Sequence, residues 1–117
     1  MGKLTTHVLD TARGRAGGGI RIELFRIDGQ TRSPLADTKT NADGRTDVPL
    51  LEGGRFNPGT YELVFHIGAY FAAKGIAAAI PPFLDVVPIR FAIAEAEAHY
   101  HVPLLASPWS YTTYRGS

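Results

Sequence analysis

Apolar and polar residues alternate at every second position along much of this chain, and this alternation constrains the fold more than any other feature. In the run YELVFHI, apolar residues occupy positions 61, 63, 65 and 67. The run GIRIEL, at 19–24, places three aliphatic residues on one face and Arg21 and Glu23 on the other. Because successive side chains of a strand point to opposite faces, both runs predict β-strands with one buried face.

Turn residues separate these strands from other extended runs. An Asp28-Gly29 pair follows the first strand, and turns rich in glycine, asparagine or proline occur at 41–44 and 56–59. Further extended runs lie at 35–40, 88–93, 98–105 and 109–114. About seven to eight short strands with frequent turns predict an all-β fold, an antiparallel β-sandwich.

One segment breaks the alternation. Residues 69–79 combine Tyr70, Phe71 and Lys74 with several alanines, which predicts one short helix. Gly75 interrupts this helix, and the Pro81-Pro82 pair beyond it ends it, because proline cannot continue a helix.

The composition is that of one soluble globular domain spanning 1–117. Hydrophobic residues make up 44% of the chain and charged residues 20%, which supplies enough apolar surface for one core. The net charge is +1 and the Lys and Arg residues are scattered, so we expect no nucleic acid and no membrane as partner. No cysteine is present, which excludes a disulfide framework, a cysteine-ligated zinc and a thiol nucleophile.

The chain shows no targeting or spanning signal. Its N-terminus turns polar within a few residues, unlike a signal peptide, and its C-terminus reads RGS rather than a peroxisomal SKL. The longest apolar stretch, IAAAIPPFLDVV at 76–87, is broken by two prolines and Asp85 and is too short to span a bilayer. We therefore expect a cytoplasmic protein.

Four histidines are candidates for general base chemistry, because an imidazole titrates near neutral pH. His7 lies in an early strand, either as a half-exposed structural residue or as a base. His99 and His101 are two positions apart, so on a strand both project from one face. They are either two solvated histidines, metal ligands that need further His, Asp or Glu partners, or a pair in which His101 activates water. His66 is interpreted as a surface or edge histidine.

Arg45 directly follows the Asp43-Gly44 turn. It is either a solvated turn residue or a planar donor for an anionic or oxyanionic group. The glycine-rich segment at 14–19 precedes a strand and not a helix, so it predicts a flexible connection and not a phosphate-binding loop. No G-x-S-x-G motif occurs, and no paired carboxylates stand out.

Four segments taken together resemble the 5-hydroxyisourate hydrolases, the transthyretin-related enzymes of urate breakdown. They are LTTHVLD at 4–10, TNADGR at 40–45, HYHVPLL at 99–105 and the terminal YRGS at 114–117. The HYHVPLL run combined with the terminal YRGS is the most specific part, and the resemblance extends from Leu4 to Ser117. It implies a transthyretin-like (prealbumin-like) sandwich with one short helix.

The resemblance also implies an assembly and a site. The assembly is a homotetramer, a dimer of dimers, with substrate clefts where the dimers meet and the aromatic tail as an ordered last strand beside them. The implied catalytic residues are His7, Arg45, His101 and Ser117. His7 and Arg45, together with Tyr114, bind substrate, and His99 has a supporting role. No metal and no organic cofactor is implied.

The implied reaction is the hydrolytic opening of the six-membered ring of 5-hydroxyisourate, in the degradation of urate toward allantoin. A neutral His7 or His101 accepts the proton of water, and Arg45 favours that neutral form by like-charge repulsion. Arg45 also stabilises the oxyanion that develops at the attacked carbonyl. The alternatives are a non-catalytic transthyretin-like carrier of a small aromatic ligand and a zinc-dependent hydrolase that uses His99 and His101.

Overall fold

Two layers of β-sheet form the fold, as seen in a computed structural model that describes residues 2–76 and 79–116. These residues contain eleven strands: β1 (Lys3–Thr5), β2 (Val8–Asp10), β3 (Arg15–Ala16), β4 (Arg21–Asp28), β5 (Thr31–Lys39), β6 (Leu51–Glu52), β7 (Gly59–Phe65), β8 (Val87–Ile93), β9 (Tyr100–His101), β10 (Leu104–Ala106) and β11 (Tyr111–Thr113). One helix, α1, spans Ile67–Ala73, and a 3₁₀ turn spans Gly53–Arg55.

The first layer is an antiparallel sheet in the order β5-β4-β7-β8. Its central strands confirm the predicted alternation, because Ile22 and Leu24 of β4 and Leu63 and Phe65 of β7 are fully buried. Burial of each such side chain stabilises the fold by about 1.5–3 kcal/mol. The apolar face of this sheet therefore forms one side of the core and holds the second layer in place.

The second layer consists of two sheets, β6-β1-β9 and β11-β10-β2-β3. Backbone hydrogen bonds continue between them, since the Val102 amide donates to the Thr5 carbonyl (3.0 Å) and the Leu104 amide donates to the His7 carbonyl (2.9 Å). The central pairs β1–β9 and β2–β10 are parallel, whereas β1–β6, β10–β11 and β2–β3 show the predicted antiparallel pairing. Parallel pairing is possible here because the two strands of each pair are connected through most of the chain and not by a hairpin.

The all-β, transthyretin-like fold class is confirmed, but it contains more strand segments than the seven to eight predicted. The predicted strand at 98–105 is divided into β9 and β10 by two residues, of which Pro103 has no amide hydrogen for the ladder. The early strand is divided in the same way at Thr6 and His7. Two candidate histidines, His7 and His101, consequently lie where this layer is interrupted.

The helix is shorter than the predicted segment at 69–79 and begins two residues before it, at Ile67. It ends before Gly75, a weak helix former, and the prediction for residues 77 and 78 lies outside the described residues. The hydroxyl of Tyr70 donates to the buried carboxylate of Asp10 (2.7 Å) and ties α1 to β2. No helix within the described part of the chain is long and apolar enough to cross a membrane.

Candidate functional site

The loop that carries Arg45 is organised by the side chain of Asn41. Its Oδ1 accepts hydrogen bonds from the amides of Asp43 (2.9 Å) and Arg45 (3.2 Å), and its Nδ2 donates to Asp47 Oδ1 (3.0 Å). Asparagine is favoured in such turns because its side chain bonds the backbone two residues on. The backbone of Arg45 is therefore fixed by a residue that sequence reasoning did not select.

Gly44 brings this loop against the second layer. Its φ is +76°, and a Cβ atom at this position would collide with the carbonyl oxygen of Val8. The Val8 amide donates to the Gly44 carbonyl (2.8 Å), and the next residue, Arg45, forms an antiparallel bridge with His7. A glycine is required here, and its presence places the guanidinium-bearing residue opposite the first candidate histidine.

The loop also determines which nitrogen of the half-buried His7 ring carries the hydrogen. Its Nε2 lies 2.9 Å from the carbonyl oxygen of Asp43. Because a carbonyl oxygen only accepts, Nε2 carries the hydrogen and donates it. In the neutral ring the lone pair is then on Nδ1, so this histidine has one defined basic nitrogen.

Thr5 joins the two histidines of the HYH motif. Thr5 and His101 face each other in the parallel β1–β9 ladder, and Thr5 Oγ1 lies 2.8 Å from His101 Nδ1. The same oxygen lies 3.1 Å from His99 Nε2. The two imidazoles thus meet at one hydroxyl group, although His99 precedes strand β9 and is exposed.

The pKa of His101 lies below its ordinary value. Burial is the largest cause, because it penalises the charged ring, and the positive charges of Arg45, His7 and His99 lower the pKa further. The predicted effect of Arg45 on a neighbouring histidine is therefore confirmed in direction, with burial as the larger cause. The lowered pKa favours the neutral ring at pH 7, which is the form that a general base needs.

These groups border a common cavity of about 370 Å³, which is within the range of small-molecule sites. Its lining is mainly polar and includes Val48, whose side chain is exposed by 67%. The lining residues are Thr5, Thr6, Arg45, Thr46, Asp47, Val48, Pro49, His99 and His101. The structure thus brings Arg45, His99 and His101 together, and it places His7 next to them through its bridge to Arg45.

The C-terminal tail reaches the same region through its backbone. The predicted last strand is present as β11, and beyond it the Gly116 amide donates to the His101 carbonyl (2.7 Å). A Cβ atom at Gly116 would lie 2.7 Å from His101 Cδ2, so only glycine permits this approach. The guanidinium of Arg115 stacks 4.0 Å from the centroid of the Tyr100 ring and fixes the tail further.

Two predicted site residues of the tail stand apart from the histidines. Tyr114 is 56% exposed and lines a neighbouring groove of about 250 Å³ together with residues of β8, and it does not line the histidine cavity. Ser117 lies outside the described residues. Trp109, predicted to alternate within the last strand, precedes β11 and is exposed.

No group of three or more His, Asp or Glu side chains able to hold a metal ion occurs among residues 2–76 and 79–116. The two histidines of the HYH motif instead share the hydroxyl of Thr5. Sequence reasoning missed Thr5 because the contact joins residues 96 positions apart, and the only available signal was its place in the LTTHVLD segment.

Known proteins with similar sequences and folds identify the family. The 5-hydroxyisourate hydrolase of Deinococcus radiodurans is 59% identical over 115 residues, which is 97% of this chain and 95% of that protein. The structure of an (S)-allantoin synthase matches with a TM-score of 0.94 and 48% identity over 99% of this chain, which spans only 44% of that longer protein. Transthyretin from Sparus aurata matches with a TM-score of 0.87 and 28% identity, over 97% of this chain and 96% of its own. The family model described as the HIUase/Transthyretin family matches residues 4–116, and the chain belongs to that family.

Proposed function

We propose that this chain is a 5-hydroxyisourate hydrolase, which opens the six-membered ring of its substrate by cleaving a cyclic amide C–N bond. The observation that carries the proposal is one cavity bordered by the neutral imidazole of His101 and the guanidinium of Arg45, with His7 beside them. The hydrolase named above, at 59% identity over nearly the whole chain, supports the same assignment.

His101 is the general base in this proposal. Water is a poor nucleophile at pH 7, and an imidazole that stays neutral there accepts its proton as the oxygen attacks the carbonyl carbon. The C–N bond then breaks, and the proton passes from the imidazolium to the departing nitrogen, so the ring returns to its neutral form. His7, held by Asp43, orients the substrate or the water.

Arg45 stabilises the negative charge that develops on the carbonyl oxygen during attack. Its backbone amide is held by Asn41, and Arg45 lines the cavity. A preorganised donor of this kind costs little reorganisation in the transition state and is worth about 10²–10³ in rate. Tyr114 and Ser117 contribute substrate contacts from the tail, once a neighbouring subunit completes the cleft.

The assembly in this proposal is a homotetramer of chains that each form one domain over 1–117. Within the described residues, β8 pairs only with β7 and β11 only with β10, so both lie at sheet edges. Exposed edges with apolar neighbours favour association with another chain, and Trp109, Tyr111 and Tyr114 are exposed beside β11. The cytoplasmic location stays a prediction from the sequence.

The carrier alternative has weaker support. The fold is shared with transthyretin, but a fold alone does not define a function. The cavity here is bordered by a guanidinium and two imidazoles, whereas a carrier of an aromatic ligand needs a mainly apolar lining.

The test measures the decay of the ultraviolet absorbance of freshly generated 5-hydroxyisourate with and without the protein. We expect faster decay with the protein, and the same rate after exhaustive chelation. Unaccelerated decay together with saturable binding of an aromatic ligand would favour the carrier. Loss of activity on chelation would favour a zinc enzyme that uses His99 and His101.

A further inference from the structure

We propose that Thr5 is a positioning residue that fixes the tautomer of His101, by accepting a hydrogen bond from its Nδ1 and donating one to Nε2 of His99. The kinetic consequence of this inference rests on the proposed hydrolase function. The tautomer itself is a property of the free protein and can be measured without substrate.

The position of the Thr5 hydroxyl is set by the sheet. Leu4 pairs with Tyr100 and Thr5 with His101 in the parallel β1–β9 ladder, so Thr5 and His101 lie side by side. The Thr5 carbonyl also accepts from the Val102 amide (3.0 Å), which fixes its backbone. Because a β-branched side chain has few rotamers, the hydroxyl is held between the two rings.

Both distances from this hydroxyl are those of hydrogen bonds. Thr5 Oγ1 lies 2.8 Å from His101 Nδ1 and 3.1 Å from His99 Nε2. A hydroxyl group has one hydrogen to donate, and its oxygen also accepts. It can donate to only one of the two rings, so at least one ring must donate an N–H to Thr5, and the hydroxyl couples the hydrogen positions of the two rings.

The possible arrangements differ in whether His101 keeps a free basic nitrogen. If His101 Nδ1–H donates to Thr5, the lone pair of its ring is on Nε2, which can accept the proton of water. If Thr5 donates to His101 Nδ1, the hydrogen of that ring is on Nε2 and no basic nitrogen remains. His99 is exposed and adopts whichever tautomer is required, so it serves as the acceptor that completes the productive arrangement.

The charges around His101 keep this coupling between neutral rings. Burial and the permanent charge of Arg45 both disfavour the imidazolium form of His101. A neutral His101 carries its hydrogen on one of two ring nitrogens. Its hydrogen bond to Thr5 stabilises the tautomer with the hydrogen on Nδ1. This role acts through His101 and needs no contact between Thr5 and the substrate.

The experiment compares Thr5→Val, which removes the hydroxyl and keeps the β-branched shape, with Thr5→Ser, which keeps the hydroxyl. We expect kcat of Thr5→Val to fall about tenfold to a hundredfold, the range found when a partner that orients an active-site histidine is removed. We expect KM to stay close to that of the parent, and Thr5→Ser to recover most of kcat.

Nitrogen NMR of histidine-labelled protein supplies the readout that a purely structural role would not move. We expect the signals of the Nδ1–H tautomer for His101 in the parent and in Thr5→Ser, and a mixture of tautomers in Thr5→Val. An Nε2–H tautomer of His101 in the parent would overturn the inference, and so would a Thr5→Val variant with the kcat of the parent. If the parent fails to hydrolyse 5-hydroxyisourate, the proposed function fails while the parent spectrum still decides the tautomer. The parent spectrum also decides the question if Thr5→Val does not fold.

Discussion

Two cavities of this molecule contain the same types of side chain, a histidine and an arginine, but in different electrostatic settings. The second cavity, of about 480 Å³, is lined by Arg21 and His66 among others. There, His66 Nε2 lies 2.7 Å from Glu23 Oε1, and Arg21 Nη2 lies 2.8 Å from Asp37 Oδ2. His66 and Arg21 thus each contact a carboxylate, as expected for residues that link neighbouring segments.

The histidine cavity is arranged differently, because its lining carboxylate, Asp47, accepts a hydrogen bond from Asn41. His101 is bonded to the neutral hydroxyl of Thr5, and Arg45 takes part in none of the ion pairs found within the described residues. In the second cavity the hydrogen bond from Arg21 lowers the pKa of Asp37, so the charges offset each other. The first cavity keeps its positive charge available for an anion that develops during a reaction. The partner of each side chain, and not its type, therefore separates the candidate site from a structural cluster.

The largest expected effect comes from exchanging the histidines of the two cavities for asparagine. His101→Asn should lower kcat/KM for 5-hydroxyisourate by about 10²–10⁴, the usual contribution of a general base, with the assembly unchanged. His66→Asn, the matched control, should hydrolyse at close to the parent rate. Absorbance decay gives the rates, and size-exclusion chromatography checks the assembly. A His101→Asn variant with parent activity would assign the base elsewhere, with His7 as the next candidate.

The arginines give the second comparison. Arg45→Gln should lower kcat by about 10²–10³, since one donor to the oxyanion is lost. Arg21→Gln removes the same charge from the second cavity and should leave kcat nearly unchanged. Initial rates at saturating substrate test both variants. Equal losses in the two variants would mean that the overall charge of the protein matters, and not the place of Arg45.

A smaller effect is expected from the residue that orders the Arg45 loop. Asn41→Ala removes two hydrogen bonds to the loop backbone and one to Asp47, each worth about 0.5–1.5 kcal/mol. If the loss of these hydrogen bonds raises the activation free energy by about 1.4 kcal/mol, the rate falls about tenfold. Asn57→Ala is the control, because Asn57 makes a similar turn contact with the Gly54 carbonyl (3.1 Å) away from the cavity. Equal rates for the two variants would show that the loop holds Arg45 without Asn41.

The smallest expected effect is a shift of the pH profile. The pKa of His101 is lowered, so kcat/KM should decline on the acid side only below pH about 6.5, the ordinary value for histidine. In Arg45→Gln this decline should move to higher pH, because a neighbouring cation no longer disfavours the imidazolium. The pKa of His101 in this variant should still lie below the ordinary histidine value, since burial is the larger cause of its shift. Rates between pH 5 and 8, with NMR titration of His101, measure the shift, and identical profiles would place the Arg45 charge too far away to act.

The sequence by itself determined which faces of the main strands are buried and which turn carries Arg45. Ile22 and Leu24 alternate with charged residues and are buried as predicted, because the two-residue period belongs to the backbone of any strand. The place of Arg45 after a turn that contains a required glycine also follows from local residues. The motif HYHVPLL indicated His99 and His101, but it did not indicate that Thr5 contacts both rings.

Only the tertiary structure decided which partner each reactive group has. Thr5 lies between His99 and His101 because β1 and β9 pair in one parallel register, and that register depends on the burial of strands almost a whole chain apart. His66 is bound to Glu23, and the alternation around it gave no sign of that pairing. Local patterns record which face of a strand is buried, whereas the protonation state of a side chain depends on charges and hydrogen bonds that distant segments bring to it.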